Sequence, residues 1–191
     1  MVLTGVGGQG IITAANALGK AAVRGKINVY VSEVHGMAQR SGAVICTVRI
    51  GDVFGPMIAT GTADVILSTE PIEALRNIMY ASKKTKVITD INPVIPFTVA
   101  TGCEEYPNLD DVFQEISSYA ELFLIDATEI AKKSGDVISK NIVMLGALAA
   151  TDVLPFKSEI LLETILDNVP SNYKDINKRS FKGGMKAIKK Y

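Results

Sequence analysis

The stretch TGVGGQGIITAANALGKAAVRGKINVYVSE, residues 4–33, has the pattern of a strand end, a glycine-rich loop, a helix and a second strand. A helix is predicted from Ile11 to Arg24, because this segment is rich in Ala and is closed by Gly25. The following INVYVSE is rich in β-branched residues, which predicts a buried strand. This order of elements indicates an α/β fold with a Rossmann-like start.

The loop of this stretch contains Gly5, Gly7 and Gly10 at the G-x-G-x-x-G spacing of a dinucleotide-binding turn. With Gly8 and Gln9 they form what we call the glycine loop, which opens the predicted helix. Unpaired N–H groups and the positive end of the helix dipole favour an anion at such a position. The loop is therefore predicted to bind a phosphate or to dock backbone. The same glycines also suit close packing of the helix on the sheet.

An NAD-dependent dehydrogenase is one alternative, because Glu33 lies near the end of the second strand, where a Rossmann site holds a ribose. A Rossmann unit, however, needs a crossover helix after that strand. Here the chain has EVHGMAQRSGAV, residues 33–44, which is too short for a helical crossover and leads directly into the next predicted strand. This disfavours the NAD enzyme, and a free-standing domain that binds a nucleotide or coenzyme A (CoA) stays as the other alternative.

The same polar segment follows a buried strand, and α/β folds build their sites where parallel strands end. Arg40 suits a carboxylate or phosphate through its planar fork, and His35 titrates near neutral pH. These two residues are the candidates for catalysis, and with Glu33 and Gln39 they are candidates to face a substrate or a partner. The plainer interpretation pairs Arg40 with Glu33 and makes His35 a hydrogen-bonding loop residue.

The remaining sequence alternates predicted strands and helices. Further strands are predicted at AVICTVRIG, ADVILSTEP, TKVITDIN, FTVATGCE and AELFLIDAT. Further helices are predicted over 71–82, 109–119, 128–135, 138–151, 158–168 and 173–191. The alternation predicts a three-layer α/β/α sandwich with a mostly parallel sheet, forming a single domain over residues 1–191.

Charge and cysteine content restrict what the chain binds. Residues 171–191 carry seven Lys or Arg and one Asp, a basic helical segment suited to a phosphate or an acidic partner, although a solvated terminal helix is the plainer interpretation. Two cysteines and one histidine are too few for an iron–sulfur cluster and make a zinc site improbable, so no metal is expected here. Without a signal-peptide pattern or an apolar run that could span a bilayer, the chain is expected to be cytoplasmic.

Four segments carry a resemblance to a known family: GVGGQGI, SEVHGMAQRSGAV, ADVILSTEPIEALR and NIVMLGALA. They resemble the beta subunits of indolepyruvate ferredoxin oxidoreductases and, more widely, the gamma-type domain of 2-oxoacid:ferredoxin oxidoreductases. The resemblance covers nearly the whole chain, and EVHGMAQRSG is its most diagnostic part.

The resemblance implies a subunit that is inactive alone and completes the active site of a larger enzyme. Such enzymes convert an aryl 2-oxoacid and CoA into arylacetyl-CoA and CO₂ and pass the electrons to ferredoxin. Thiamine diphosphate, Mg and the 4Fe-4S clusters are implied in the larger alpha subunit, with no cofactor held by the present chain. The implied partners are thus the alpha subunit and, for the complex, ferredoxin, with no nucleic acid and no membrane.

Overall fold

The computed structural model describes residues 1–36 and 42–191, with His35 described by its backbone alone. The described strands are β1 (Val2–Val6), β2 (Val29–His35), β3 (Ala43–Ile50), β4 (Val65–Ser68), β5 (Lys86–Asp90), β6 (Glu121–Ile125) and β7 (Lys189–Lys190). The described α-helices are α1 (Ile11–Arg24), α2 (Pro71–Arg76), α3 (Phe97–Ala100), α4 (Leu109–Tyr119), α5 (Ala127–Ser134), α6 (Lys140–Ala149), α7 (Ser158–Asp167) and α8 (Lys174–Ala187). None of these helices is both long and apolar enough to cross a bilayer.

The strands form one mixed sheet in the order β2-β3-β1-β4-β5-β6-β7. The central strands β1, β4, β5 and β6 pair in parallel, whereas β3 and β7 pair antiparallel to their neighbours. Because β2 is antiparallel to β3 and β3 to β1, strand β2 runs in the same direction as the central strands. The predicted α/β fold is therefore confirmed. The carboxyl ends of β1, β2, β4, β5 and β6 lie at one edge, which we call the C-terminal edge.

Helices cover the two faces of the sheet unequally. On one face, α1 packs on β2 and β3, α6 packs on β4 and β5, and α8 packs on α6. The core on this side includes the fully buried Leu18, Ile88 and Phe181. On the other face, α2 packs on β1, β4 and β5, and α4 packs on β6, around the buried Ile66 and Ile116. Burial of apolar side chains on both faces supplies most of the driving force for folding.

The helical predictions hold where a clear start or stop residue is present. Helices α1 and α4 have the predicted bounds, α1 because Gly25 closes it and α4 because the side chain of Asn108 caps its first turn. The predicted helix over 71–82 ends at Arg76 and is continued by a short 3₁₀ helix, Ile78–Tyr80. The helix predicted over 138–151 begins at Lys140, after another 3₁₀ turn.

One predicted strand is wrong, and one predicted helix ends earlier than predicted. FTVATGCE is not a strand, because it contains the short helix α3 and lies in a connection rich in proline, including Pro93 and Pro96, which lack the N–H that a sheet ladder needs. The helix predicted over 173–191 ends at Ala187. The chain then turns into β7, because β6 offers a free edge with which Lys189 and Lys190 pair.

Helices α6 and α8 cross at two glycines that leave no room for a side chain. A Cβ atom on Gly146 would lie 2.1 Å from the carbonyl oxygen of Phe181. One on Gly184 would lie 2.0 Å from the carbonyl oxygen of Val143. Because both neighbours are backbone atoms, a larger residue would force the helices apart rather than turn a side chain aside.

We expect Gly146→Ala to lower the free energy of unfolding by about 3 kcal/mol, the upper part of the range for overpacked cores. Gly183→Ala is the matched control on α8, because its Cβ would meet one side-chain methyl group of Ile130, at 2.7 Å, rather than the backbone of a packed helix, so its cost should be smaller. Urea denaturation of the two variants measures the difference. Equal unfolding midpoints for both would contradict the close crossing of α6 and α8.

Candidate functional site

The glycine loop and the ends of the 33–44 segment meet at the C-terminal edge. Strand β1 leads into the glycine loop, and Gly5 and His35 both lie opposite Val44, one on each side of β3. The N–H of Gly7 donates to the carbonyl oxygen of Gly42 at 2.8 Å. The structure therefore brings the glycine loop close to both ends of residues 33–44. It does so because β2 and β3 form a hairpin where a Rossmann unit has a crossover helix.

The four residues predicted to face a substrate or partner are only partly placed. Glu33 is exposed on β2, opposite Cys46 of β3. The backbone of His35 ends β2 at the C-terminal edge. Gln39 and Arg40 lie outside the described residues, so their roles remain predictions.

Three glycines of the loop, Gly5, Gly8 and Gly10, have different reasons to be glycine. A Cβ on Gly5 would lie 2.1 Å from Oγ1 of Thr69, and one on Gly10 would lie 2.6 Å from Nδ2 of Asn141, so both positions allow close packing. Gly8 has a left-handed φ of 95° and no atom within 4 Å of its Cβ position. Packing therefore accounts for Gly5 and Gly10, whereas Gly8 faces open space that a ligand can approach.

Gln9 braces the glycine loop. Its Oε1 accepts hydrogen bonds from the N–H of Val6 at 2.9 Å and from Oγ1 of Thr69 at 2.6 Å. These bonds tie the loop to the end of β4 and use the side-chain oxygen internally. The contribution of Gln9 is therefore to fix the loop at the amino end of α1, where the N-cap residue Gly10 provides no side-chain acceptor.

A cavity of about 580 Å³ lies beside the glycine loop, and we call it the glycine-loop cavity. Its polar lining residues include Gly8, Gln9, Gly10, Thr13, Thr128, Lys140 and Asn141. Its apolar lining residues include Val137, Ile138, Val169, Pro170 and Tyr173. The volume is within the range of ligand-binding pockets, and the mixed lining suits a ligand with both polar and apolar groups.

Lys140 is the charged residue of this wall, and a buried carboxylate holds it. Asp90, at the end of β5, is fully buried and forms an ion pair with Lys140. The same carboxylate accepts hydrogen bonds from the N–H of Ala127 and from Oγ1 of Thr128, each at 3.1 Å. Asp90 thereby joins the ends of β5 and β6 to the start of α6. No local sequence pattern indicates this pair, because its members are fifty residues apart along the chain.

A second polar cluster lies at the same edge, on the side of α2. The Tyr106 hydroxyl donates to Oε1 of the buried Glu70, whose Oε2 accepts from the N–H of Glu73 at 2.8 Å and so caps α2. Burial and the bond to Glu70 raise the pKa of Tyr106. This tyrosine stays protonated and anchors the long connection between β5 and α4. The cluster therefore has a structural explanation.

The cysteines do not fit an iron–sulfur cluster. Cys46 is buried in β3, where burial, with the nearby charge of Glu33, raises the pKa of its thiol to about 11, and Cys103 is exposed. Within residues 1–36 and 42–191, no three or more His, Cys, Asp or Glu side chains are grouped so that they could hold a metal ion.

The basic C-terminal segment reaches the cavity only at its beginning. Tyr173 and Asn177 line the cavity. Farther along, Lys189 and Lys190 pair with β6, and Lys190 lies 3.3 Å from Glu121 at the amino end of that strand, which is the opposite edge of the sheet. The segment as a whole is thus not gathered around the glycine loop.

Comparison with known proteins shows which family the sequence matches. The family model described as pyruvate ferredoxin/flavodoxin oxidoreductase matches residues 1–187. The chain is 45% identical over 192 aligned residues to the indolepyruvate oxidoreductase subunit IorB of Thermococcus kodakarensis, covering 99% of this chain and 95% of that protein. Its identity to the protein of the same name from Pyrococcus horikoshii is also 45%, with the same coverage.

Solved structures share the fold. Pyruvate oxidoreductase subunit PORC of Thermotoga maritima superposes with a TM-score of 0.76 at 23% identity, covering 98% of this chain and 95% of that one. The 2-oxoglutarate:ferredoxin oxidoreductase of Magnetococcus marinus superposes with a TM-score of 0.74 at 22% identity. That match covers all of this chain but only 31% of the other, so there the fold is one part of a longer polypeptide.

Proposed function

Because the chain belongs to the pyruvate ferredoxin/flavodoxin oxidoreductase family, we propose that it is the small subunit of a ferredoxin-dependent oxidoreductase for aryl 2-oxoacids such as indolepyruvate. The observation that carries the proposal is the 45% identity, over 99% of the chain, to a protein named as an indolepyruvate oxidoreductase subunit. In the proposed reaction, one aryl 2-oxoacid and one CoA give arylacetyl-CoA, CO₂ and a proton, and two electrons reduce two one-electron ferredoxins.

The larger alpha subunit is proposed to carry thiamine diphosphate, Mg and the 4Fe-4S clusters. The thiamine cofactor supplies the stabilisation of negative charge that decarboxylation requires. The residues of the present chain have a different task, which is to position CoA and to close the site against the partner. This division fits a chain whose two cysteines lie in different surroundings, one in the core and one on the surface.

The glycine-loop cavity is the proposed place for part of CoA. Its phosphates suit the backbone around Gly8 and the amino end of α1, where the helix dipole contributes about 0.3–1 kcal/mol when exposed and about 2 at most. Lys140 also lines the cavity, with its charge balanced by Asp90. The methylene and dimethyl groups of the pantetheine arm suit the apolar lining residues Val137, Ile138 and Tyr173. These contacts are few, so we expect weak CoA binding by the isolated chain and a complete site only against the partner.

Residues 33–44 are the proposed contact with the partner's active site. The hairpin presents both ends of this segment beside the glycine loop, since His35 and Gly5 flank Val44. Arg40 and Gln39 are its proposed contacts with the substrate carboxylate or with the partner. Arg40 suits a carboxylate because its guanidinium donates two parallel hydrogen bonds.

Arg40→Ala is expected to lower kcat/KM of the reconstituted complex for the arylpyruvate by about tenfold or more, since a hydrogen bond to a charged group contributes about 1.5–3 kcal/mol. The melting temperature of the isolated chain should not change. Arg24→Ala is the control, because Arg24 pairs with Glu163 and Asp167 on the exposed side of α1 and α7. Unchanged activity, or a loss that follows a collapse in melting temperature, would assign Arg40 to structure alone.

Titration tests the proposal against its alternatives. A free-standing binding domain should bind CoA or a nucleotide tightly without a partner, and a dehydrogenase should bind NADH. The proposed subunit should bind CoA weakly and neither NADH nor thiamine diphosphate. Isothermal titration of the purified chain with each compound separates these results, and tight NADH binding would count against the proposed function.

A further inference from the structure

Among the residues that the structure describes, no helix packs on the β2–β3 part of one face of the sheet. The side chain of Val31 faces α1, because its Cγ2 lies 3.0 Å from where a Cβ on Gly19 would be. Since side chains alternate along a strand, Tyr30 and Val34 face the other side. The helices on that side, α2 and α4, pack on β1, β4, β5 and β6 instead. The missing crossover helix is the physical reason that this part of the sheet is open.

The loop after β3 folds over this open face and is held there by side chains of the hairpin. Thr47 Oγ1 donates to the carbonyl oxygen of Pro56 at 2.9 Å. Arg49 Nη1 donates to the carbonyl oxygens of Gly55 at 2.9 Å and Met57 at 3.0 Å. Each bond uses a backbone acceptor of the loop, so the loop conformation is fixed independently of its own side chains.

This braced loop presents apolar side chains to solvent. Phe54 is 88% exposed and Met57 is 79% exposed. On the adjoining strand, Val34 is 67% exposed and Tyr30 is 38% exposed, with Tyr30 directly opposite Arg49. We call Tyr30, Val34, Phe54 and Met57 the hairpin face. Aromatic residues and Met are enriched in the cores of protein interfaces, and a preorganised loop loses little entropy on binding.

We propose that the hairpin face is the surface with which this chain docks on the large catalytic subunit, with Phe54 and Met57 inserted into an apolar pocket of that subunit. This inference rests on the proposed function. Two observations favour the large subunit as the occupant. The hairpin face includes Val34, which belongs to the 33–44 segment that is proposed to meet the partner's active site. Relatives of this chain are also named as subunits, and the fold occurs as one part of a longer oxidoreductase chain.

The test is the affinity of the full chain for the purified large subunit, measured by biolayer interferometry. The double variant Phe54→Ser, Met57→Ser should raise Kd by at least about tenfold, because truncating a central aromatic anchor has large effects on binding. Its melting temperature should stay within about 2 °C of wild type, because exposed side chains contribute little to stability. The control is Val23→Ser, Tyr119→Ser, which removes exposed apolar groups from α1 and α4 and should leave Kd unchanged.

Three results would overturn the inference. If wild type binds normally and the double variant binds equally well, the docking face is wrong and the proposed function stands. If wild type sediments as a dimer that the double variant abolishes, while affinity for the large subunit is unchanged, the face belongs to a second copy of this chain. If wild type does not bind the large subunit at all, the proposed function fails together with the docking face.

Discussion

Replacing Lys140 by Met is expected to lower the free energy of unfolding by about 3–5 kcal/mol, the range for removing one partner of a buried ion pair. The reason is the carboxylate that stays behind. Asp90 is fully buried, and its remaining hydrogen bonds come from neutral donors such as the N–H of Ala127 and Oγ1 of Thr128. Methionine fills the space of the lysine stem but leaves the buried charge without a counter-charge.

The control for this effect is Lys133→Met. Lys133 pairs with Glu129 one helical turn away at 3.4 Å, and both side chains are largely exposed. Surface pairs of this kind contribute about 0.3–0.5 kcal/mol. Guanidinium denaturation of both variants measures the comparison. If Lys140→Met were as stable as Lys133→Met, the pair between Asp90 and Lys140 would not be the buried link that the structure shows.

Gly8→Val is expected to raise the KM of the reconstituted enzyme for CoA by about tenfold or more. A side chain at this position would fill the open space in front of the loop and block the approach of a phosphate to the backbone. Loss of even one hydrogen bond to a charged group corresponds to about 1.5–3 kcal/mol. The KM for the arylpyruvate should change by less than about twofold, because the loop is not proposed to contact it.

Gly61→Val is the matched control for Gly8→Val. Both glycines have positive φ, 73° at Gly61 and 95° at Gly8, and neither Cβ position is crowded, since the nearest atom to that of Gly61 is the carbonyl oxygen of Ala81 at 3.8 Å. The two substitutions therefore impose similar backbone strain, but Gly61 precedes β4 at the opposite edge of the sheet. If Gly8→Val raised the KM for CoA and the KM for the arylpyruvate equally, the defect would lie in docking of the two subunits. If it changed neither KM, the loop would serve only in packing.

Much of the fold was predictable because the residues that begin or end a helix or strand lie within a few positions of that boundary. Gly25 closes α1 at the predicted position, and β3 is the next strand after β2, as predicted from the short polar segment between them. The antiparallel pairing of β2 with β3 was not predicted. The pairing of β7 with β6 was not predictable in this way. Lys189 and Lys190 have no strand pattern of their own and are ordered by the free edge of β6.

The candidate site was predicted in outline only. The glycine loop and the ends of residues 33–44 are in contact because both lie at the C-terminal edge, but the internal role of Gln9 depends on Thr69, sixty residues away. Lys140 enters the cavity wall through a comparable long-range pair with Asp90. Such pairs have no sequence periodicity, because tertiary packing alone brings their members together.

The exposure of the hairpin face also depends on tertiary packing. The sequence shows that residues 33–44 are too short for a crossover helix. The consequence, a sheet face on which no described helix packs, depends on where α2 and α4 lie. The exposure of Phe54 likewise depends on the hydrogen bonds from Thr47 and Arg49 that fix its loop.

The central claim is that this chain completes an active site that neither subunit has alone. The most direct measurement is the rate of ferredoxin reduction with indolepyruvate and CoA, for the large subunit alone, for this chain alone and for their equimolar mixture. We expect only the mixture to reduce ferredoxin and to form the arylacetyl-CoA thioester. Equal activity of the large subunit without this chain, or an inactive mixture of two folded and associated subunits, would contradict it.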